Sequence, residues 1–188
     1  MEKVIKNMNN SILEKQYNKL KTKGILIINE DFTDLMMQRI YFDILDISKN
    51  NNIKFLTIYI NSRGGSVDSL FPIIDLLNQY NKPISTIVMG KAYSCGALLL
   101  LSGTKKLRFA HKHSEILLHE VAGKTIDKNK QIQENAKWIN RINKSFKSII
   151  KEKTKMTNEQ IDKYMESNLD IFLTPNQALY YGIIDKII

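Results

Sequence analysis

Short runs of β-branched and aromatic residues alternate with stretches whose apolar positions recur at helical spacing. This alternation constrains the fold more than any other feature of the chain. Ile25-Leu26-Ile27-Ile28, opened by Gly24, reads as a strand, and Phe55 to Ile60 and Ile84 to Met89 read as two more. Leu107-Arg108-Phe109 and Ile116-Leu117-Leu118 are shorter strands of the same kind. Between them, Met36, Ile40, Ile44 and Ile47 predict a helix over about Thr33–Ser48. Leu70, Ile73, Ile74 and Leu77 predict another, with Pro72 in its first turn, where a missing N–H costs little. A short helix is expected from Ser94 to Gly103, with Gly103 as a left-handed C′ residue.

A long helix is expected from Asp127 to Lys153, its buried stripe made by Ile132, Ala136, Ile139, Phe146, Ile149 and Ile150. Thr157 with Gln160 and Thr174 with Gln177 form two capping boxes, and the second has Pro175 at the first helical position and Gly182 just past the end. Ile183-Ile184, extending towards Ile187-Ile188, reads as a closing strand. Alternating strands and helices imply an α/β fold with a largely parallel sheet and right-handed crossovers. Residues 1–23 have no clear period and are expected as an N-terminal arm, helical in part or mobile, with residues 24–188 as a single domain.

The remaining composition limits function. With 28 Lys+Arg against 19 Asp+Glu the net charge is +9, but the lysines are scattered among Asn and Glu with no interleaved aromatics. That pattern argues for a solvated basic surface and against a dedicated nucleic-acid groove. Cys95 is the single cysteine, which excludes an internal disulfide or a multi-thiolate metal site. No apolar run is long enough to span a bilayer and the first residues carry no apolar leader, so the expected compartment is the cytoplasm.

In a parallel α/β sheet, sites form in loops at the carboxyl ends of strands. Two loops qualify: Asn61 to Ser66 and Gly90 to Gly96, the latter read as a turn up to Tyr93. Ser94 sits between an apolar strand and an apolar helix, flanked by the small residues Ala92 and Gly96. This matches the mechanics of a nucleophile elbow, although an N-cap serine would look the same. Gly64 and Gly65 free backbone N–H groups to form half an oxyanion hole or to hold an extended peptide, where the plain alternative is a turn. His119 ends an apolar strand and can accept a proton near neutral pH, whereas His111 and His113 read as surface residues. Asp170 is a candidate to orient that imidazole, in competition with Asp162, Glu166 and Asp185.

Taken together, four segments resemble the Clp protease proteolytic subunit family, in the same order and at similar spacing. They are Ile58 to Gly65, Gly90 to Ala97, Ile116 to His119, and Asp170 to Thr174 with Ala178 to Asp185. The resemblance runs from about Gly24 to the end of the chain. It implies a ClpP/crotonase-like fold of repeated β-β-α and βαβ units with a protruding handle helix. It also implies a serine endopeptidase with Ser94 as nucleophile, His119 as general base and Asp170 as triad acid. The backbone N–H groups of Gly65 and Cys95 would form the oxyanion hole, and Gly64, Ser66 and Val67 would hold an extended substrate. No metal or other cofactor is implied. The implied partners are unfolded proteins or peptides, further copies of the chain in a heptameric ring, and an AAA+ unfoldase.

Some positions depart from the family pattern. Arg63 stands for a usual proline, Cys95 for a methionine, Glu120-Val121 for Gln-Pro, and Leu169 for an arginine, while a Gly-rich segment is reduced to Gly123 before the charged Lys124–Lys130. The last two serve contacts between stacked rings, so the resemblance leaves stacking open. Three rivals share parts of this reading. A phage-type maturation or scaffold protease would have the same triad and no unfoldase. A non-catalytic ring subunit would be expected to lose a triad member. A crotonase-type acyl-CoA enzyme would have no use for the Ser–His pair.

Overall fold

The hydrophobic runs collect into one sheet. The computed structural model describes residues 2–123, 128–167 and 170–188. Its elements in chain order are α1 (Glu2–Lys21), β1 (Ile25–Ile28), α2 (Asp34–Lys49), β2 (Leu56–Ser62), α3 (Val67–Gln79), β3 (Ile84–Tyr93), α4 (Cys95–Leu101), β4 (Arg108–Ala110), β5 (Glu115–Leu118), α5 (Asn129–Lys153), α6 (Asn158–Met165), β6 (Ile171–Leu173), α7 (Pro175–Tyr180) and β7 (Lys186–Ile187). Strands β1-β2-β3-β4-β7 lie in that order, each parallel to its neighbour. The fold is therefore the expected α/β one with a largely parallel sheet. Leu26, Ile28, Ile58, Ile60 and Val88 are buried with Ile40, Ile44, Leu70 and Ile73 from the helices, which is why both kinds of element carry apolar residues at their own period.

Strand β3 sets up the site. The expected turn over Gly90–Tyr93 is instead the second half of this strand. Thr86–Val88 pair with β4, and Lys91–Tyr93 then pair in parallel with β5. One long strand thus serves two successive neighbours, and Gly90 takes φ +97° between the two halves. The β2–β3 register also shifts between Ile60 and Ser62, so Ser62 meets Ala92 and the two site loops end side by side. Strand β6, which apolar periodicity did not mark, pairs antiparallel with β5.

Other expectations need correction. Helix α3 begins at Val67, so Pro72 lies in its second turn, where the carbonyl that loses its donor belongs to Asp68, an exposed residue. Gly103 does not adopt positive φ. Its need for glycine is steric, because a Cβ there would lie 2.3 Å from Thr86 Oγ1. Ile183 and Ile184 are buried loop residues, and the closing strand is Lys186–Ile187. Residues 2–21 form a helix, fastened to α2 by Tyr17, whose hydroxyl donates to Asp43 at 2.7 Å, and by Lys21, 3.0 Å from the same carboxylate. Burial, reinforced by that hydrogen bond, raises the Tyr17 pKa.

Both capping boxes form as read, at Thr157–Gln160 and Thr174–Gln177, and Gly182 has φ +70°. Helix α5 starts at Asn129, while Asp127, with Lys124–Ile126, and Leu169 lie outside the described residues. Of its expected stripe only Phe146 and Ile150, with Ile142, are buried. Ile132 at the other end is 43% exposed, because the first half of α5 projects past the sheet.

Candidate active site

Ser94 stands where β3 turns into α4. Its N–H donates to the Leu117 carbonyl at 2.9 Å, the last rung of the β3–β5 pairing, and its own carbonyl accepts from Ala97 and Leu98. Between these two demands the backbone is forced to φ +54°, ψ −118°, a conformation that costs a non-glycine residue about 1–3 kcal/mol. Gly64 lies directly against this turn: a Cβ on it would be 2.7 Å from Ser94 Cβ and 2.9 Å from the Tyr93 carbonyl. Gly65 forms an isolated parallel bridge with Phe32, made by the Phe32 N–H to the Gly64 carbonyl (2.7 Å) and the Ser66 N–H to the Phe32 carbonyl (2.9 Å). Parallel pairing of this kind turns the N–H and C=O of Gly65 itself away from Phe32. Among the described residues, neither the Gly65 nor the Cys95 N–H donates to another backbone carbonyl.

Strand register brings the imidazole and carboxylate together. In the antiparallel β5–β6 pair, Leu118 faces Ile171, so the next residues out, His119 and Asp170, face each other. His119 Nδ1 lies 3.5 Å from Asp170 Oδ1, an ion-pair distance rather than a short hydrogen bond. The competing carboxylates are engaged elsewhere. Asp162 and Glu166 both hold Lys147, and Asp185 holds Arg108. Ser94 and His119 line one cleft of about 380 Å³, together with Gly65, Ser66, Val67, Val121 and Ala122. Among the described residues no hydrogen bond joins the Ser94 hydroxyl to His119. A larger cavity of about 520 Å³ beside Arg108 and Asp185 contains neither residue.

A family model described as Clp protease matches residues 8–188. The chain belongs to the Clp protease family. It is 31% identical over 172 residues to the ATP-dependent Clp protease proteolytic subunit 2 of Bacillus licheniformis, an alignment covering 92% of this chain and 90% of that protein. Membership makes it a serine-type endopeptidase, a hydrolase.

Within this Clp protease, Cys95 follows Ser94 at the turn. Burial pushes its thiol up to about 11, so it stays protonated at neutral pH and is a poor nucleophile. Its Sγ–H instead donates to the Gly65 carbonyl at 3.3 Å, tying the two site loops together. Tyr93 braces the far side: its hydroxyl donates to Glu115 at 2.7 Å and its ring meets Phe172 edge-on at 5.3 Å, joining β3, β5 and β6. Sequence reasoning missed Trp138, which reaches the cleft from α5. The available signal was the chain's single tryptophan, four residues before Ile142 at the edge of the helix's apolar stripe. Among the described residues no group of three or more His, Cys, Asp or Glu is placed to hold a metal ion, and no helix is long and apolar enough to cross a membrane.

Proposed function

We propose that this Clp protease cleaves unfolded proteins and short peptides through Ser94, His119 and Asp170. The single observation that carries the reading is the β5–β6 register, which sets Asp170 3.5 Å from Nδ1 of His119, a residue that lines one cleft with Ser94. Asp170 fixes the imidazole tautomer, leaving Nε2 to accept the Ser94 proton as Oγ attacks the peptide carbonyl. The oxyanion then lies against the N–H groups of Gly65 and Cys95. His119 passes its proton to the leaving amine, and the resulting acyl-enzyme is hydrolysed when His119 activates water. The Ser94–His119 hydrogen bond closes on substrate binding or assembly, since such contacts are commonly loose without substrate.

The assembly is a heptameric ring of this chain, whose chamber admits only threaded or short substrates, supplied in the cytoplasm by an AAA+ unfoldase. Support comes from family membership and from the projecting half of α5, where Ile132 and Trp138 are uncovered. The reaction needs no metal or organic cofactor. Labelling with a fluorophosphonate, mapped by mass spectrometry, tests the nucleophile. Ser94 is the expected adduct site, and Ser94→Ala is expected to lose labelling and peptide hydrolysis with the fold intact. Full activity in Ser94→Ala would end the reading.

A further inference from the structure

Arg63, Gly65, Ser66 and Val67 line the cleft that holds Ser94, and Gly64 packs against the Ser94 turn. Under the reading above, Ser66 and Val67 hold an extended substrate, and Arg63 lies on the opposite side of the glycine pair; with the acyl half on Ser66 and Val67, Arg63 meets the half that leaves. It lines the cleft of Ser94 and His119 and also an adjoining groove of about 310 Å³, which it shares with Lys91. Arg63 is exposed, and among the described residues neither it nor Lys91 has a carboxylate within 4 Å. Glu30 in the groove is paired with Arg39, and Lys91 has Asp31 in the groove and Glu115 opposite it in the β3–β5 register; Arg63 is the cation that reaches the Ser94 cleft, where Asp68, beyond Val67, is the acid on the lining. An exposed guanidinium in the cleft with no carboxylate within 4 Å among the described residues, next to the proposed nucleophile, favours a substrate that brings negative charge.

We propose that Arg63, with Lys91 behind it, selects substrates carrying a carboxylate just after the cleaved bond. The chemistry has two sources, an acidic side chain or the free C-terminus of a short peptide. This specificity rests on the Ser94 peptidase reading.

Two sets of quenched fluorescent peptides with a common acyl half separate the sources. In the first, the residue after the cleaved bond is Asp, Asn or Lys and the C-terminus is an amide. In the second, all residues are neutral and a C-terminus close to the cleaved bond is either acid or amide. The expected result is a kcat/KM roughly three- to tenfold higher with the carboxylate in at least one set, shrinking as salt is raised. A gain in the first set alone assigns the side chain; a gain in the second alone assigns the terminus. In the first case Arg63→Glu is expected to reverse the Asp-over-Lys order, and in the second it is expected to abolish the acid-over-amide gain. Equal rates across both sets for the wild-type chain overturn the proposal, whatever the variant does. Fluorophosphonate labelling of the wild-type chain distinguishes the two failures. Labelling of Ser94 without any carboxylate preference sinks this inference alone, and absence of labelling sinks the peptidase reading beneath it.

Discussion

Ser94 holds its strained backbone because both sides of the turn are over-determined: Leu117 takes its N–H, and α4 takes its carbonyl. Gly64 supports the turn from below with φ +101°, so a methyl group there meets both unfavourable backbone geometry and the Ser94 side chain. Gly64→Ala is therefore expected to displace the proposed nucleophile and the Cys95 N–H together. The loss should be at least about 10²-fold in kcat, as for removal of one oxyanion donor. Fluorophosphonate labelling rate measures it directly, and a wild-type rate would show that Gly64 tolerates a side chain. Cys95 behaves differently. Its protonated thiol contributes one weak hydrogen bond, so Cys95→Ala should keep peptide hydrolysis within about tenfold of wild type. Abolished activity with a normal far-UV spectrum would instead make the thiol part of the chemistry. The sharp strand-to-helix turn at Ser94 was legible in the sequence from its small neighbours between apolar runs, but those letters alone read equally as an N-cap serine. Asp170 was not separable from Asp162, Glu166 and Asp185, because their difference lies in which nitrogen-bearing side chain each one meets after folding.

At the scale of elements, local signals translated well wherever one turn of chain decides the outcome. Both capping boxes formed because the Thr hydroxyl and Gln amide satisfy N–H groups within their own turn. Signals that depend on a distant neighbour did not translate. Lys91–Tyr93 look like a turn after Gly90 until β5 arrives to pair with them, and β6 is only three residues whose partner lies more than fifty positions earlier. Arg108 shows how such distant elements are locked. Only 4% exposed, it donates to both oxygens of Asp185 beside β7 and, at 2.7 Å, to the Lys153 carbonyl that ends α5. Burial alone would raise the Asp185 pKa, but the hydrogen bonds and charge of Arg108 outweigh it and hold the carboxyl below its ordinary value. A depressed folded pKa means the pair stabilises above the unfolded value of about 4, and the contribution fades as pH falls through the lower folded value. Asp185→Asn is expected to cost about 3 kcal/mol at pH 7, since it strands a buried guanidinium. Urea unfolding from pH 7 down to pH 3 checks the sign: the gap between wild type and variant should hold above about pH 5 and narrow below about pH 4. A gap that widened in acid would contradict the pairing.

For the whole molecule, the decisive question is what covers the projecting half of α5. Ile132, Ala136 and Ile139 continue the same face as Phe146 and Ile150, which the chain buries itself. Periodicity reads one continuous stripe and cannot say whether the covering surface belongs to the same chain or to another copy, which is why the stripe was expected to be buried along its whole length. Here it divides: Phe146 and Ile150 pack into the core, while Ile132 and Trp138 remain 43% and 37% exposed. An amphipathic face of this length is stable in water only if something apolar meets it. The proposed ring supplies that partner, and because Trp138 also lines the Ser94 cleft, assembly and the substrate site share a wall. Ile132→Asp, which lies on the helix but does not line that cleft, separates the two roles. It is expected to shift the wild-type oligomer towards smaller species in mass photometry at micromolar concentration. Peptide hydrolysis should fall with it, and raising the protein concentration should restore part of that loss. If the wild-type chain is itself monomeric yet hydrolyses peptides at full rate, the uncovered stripe serves some other contact and the chamber is not part of the mechanism.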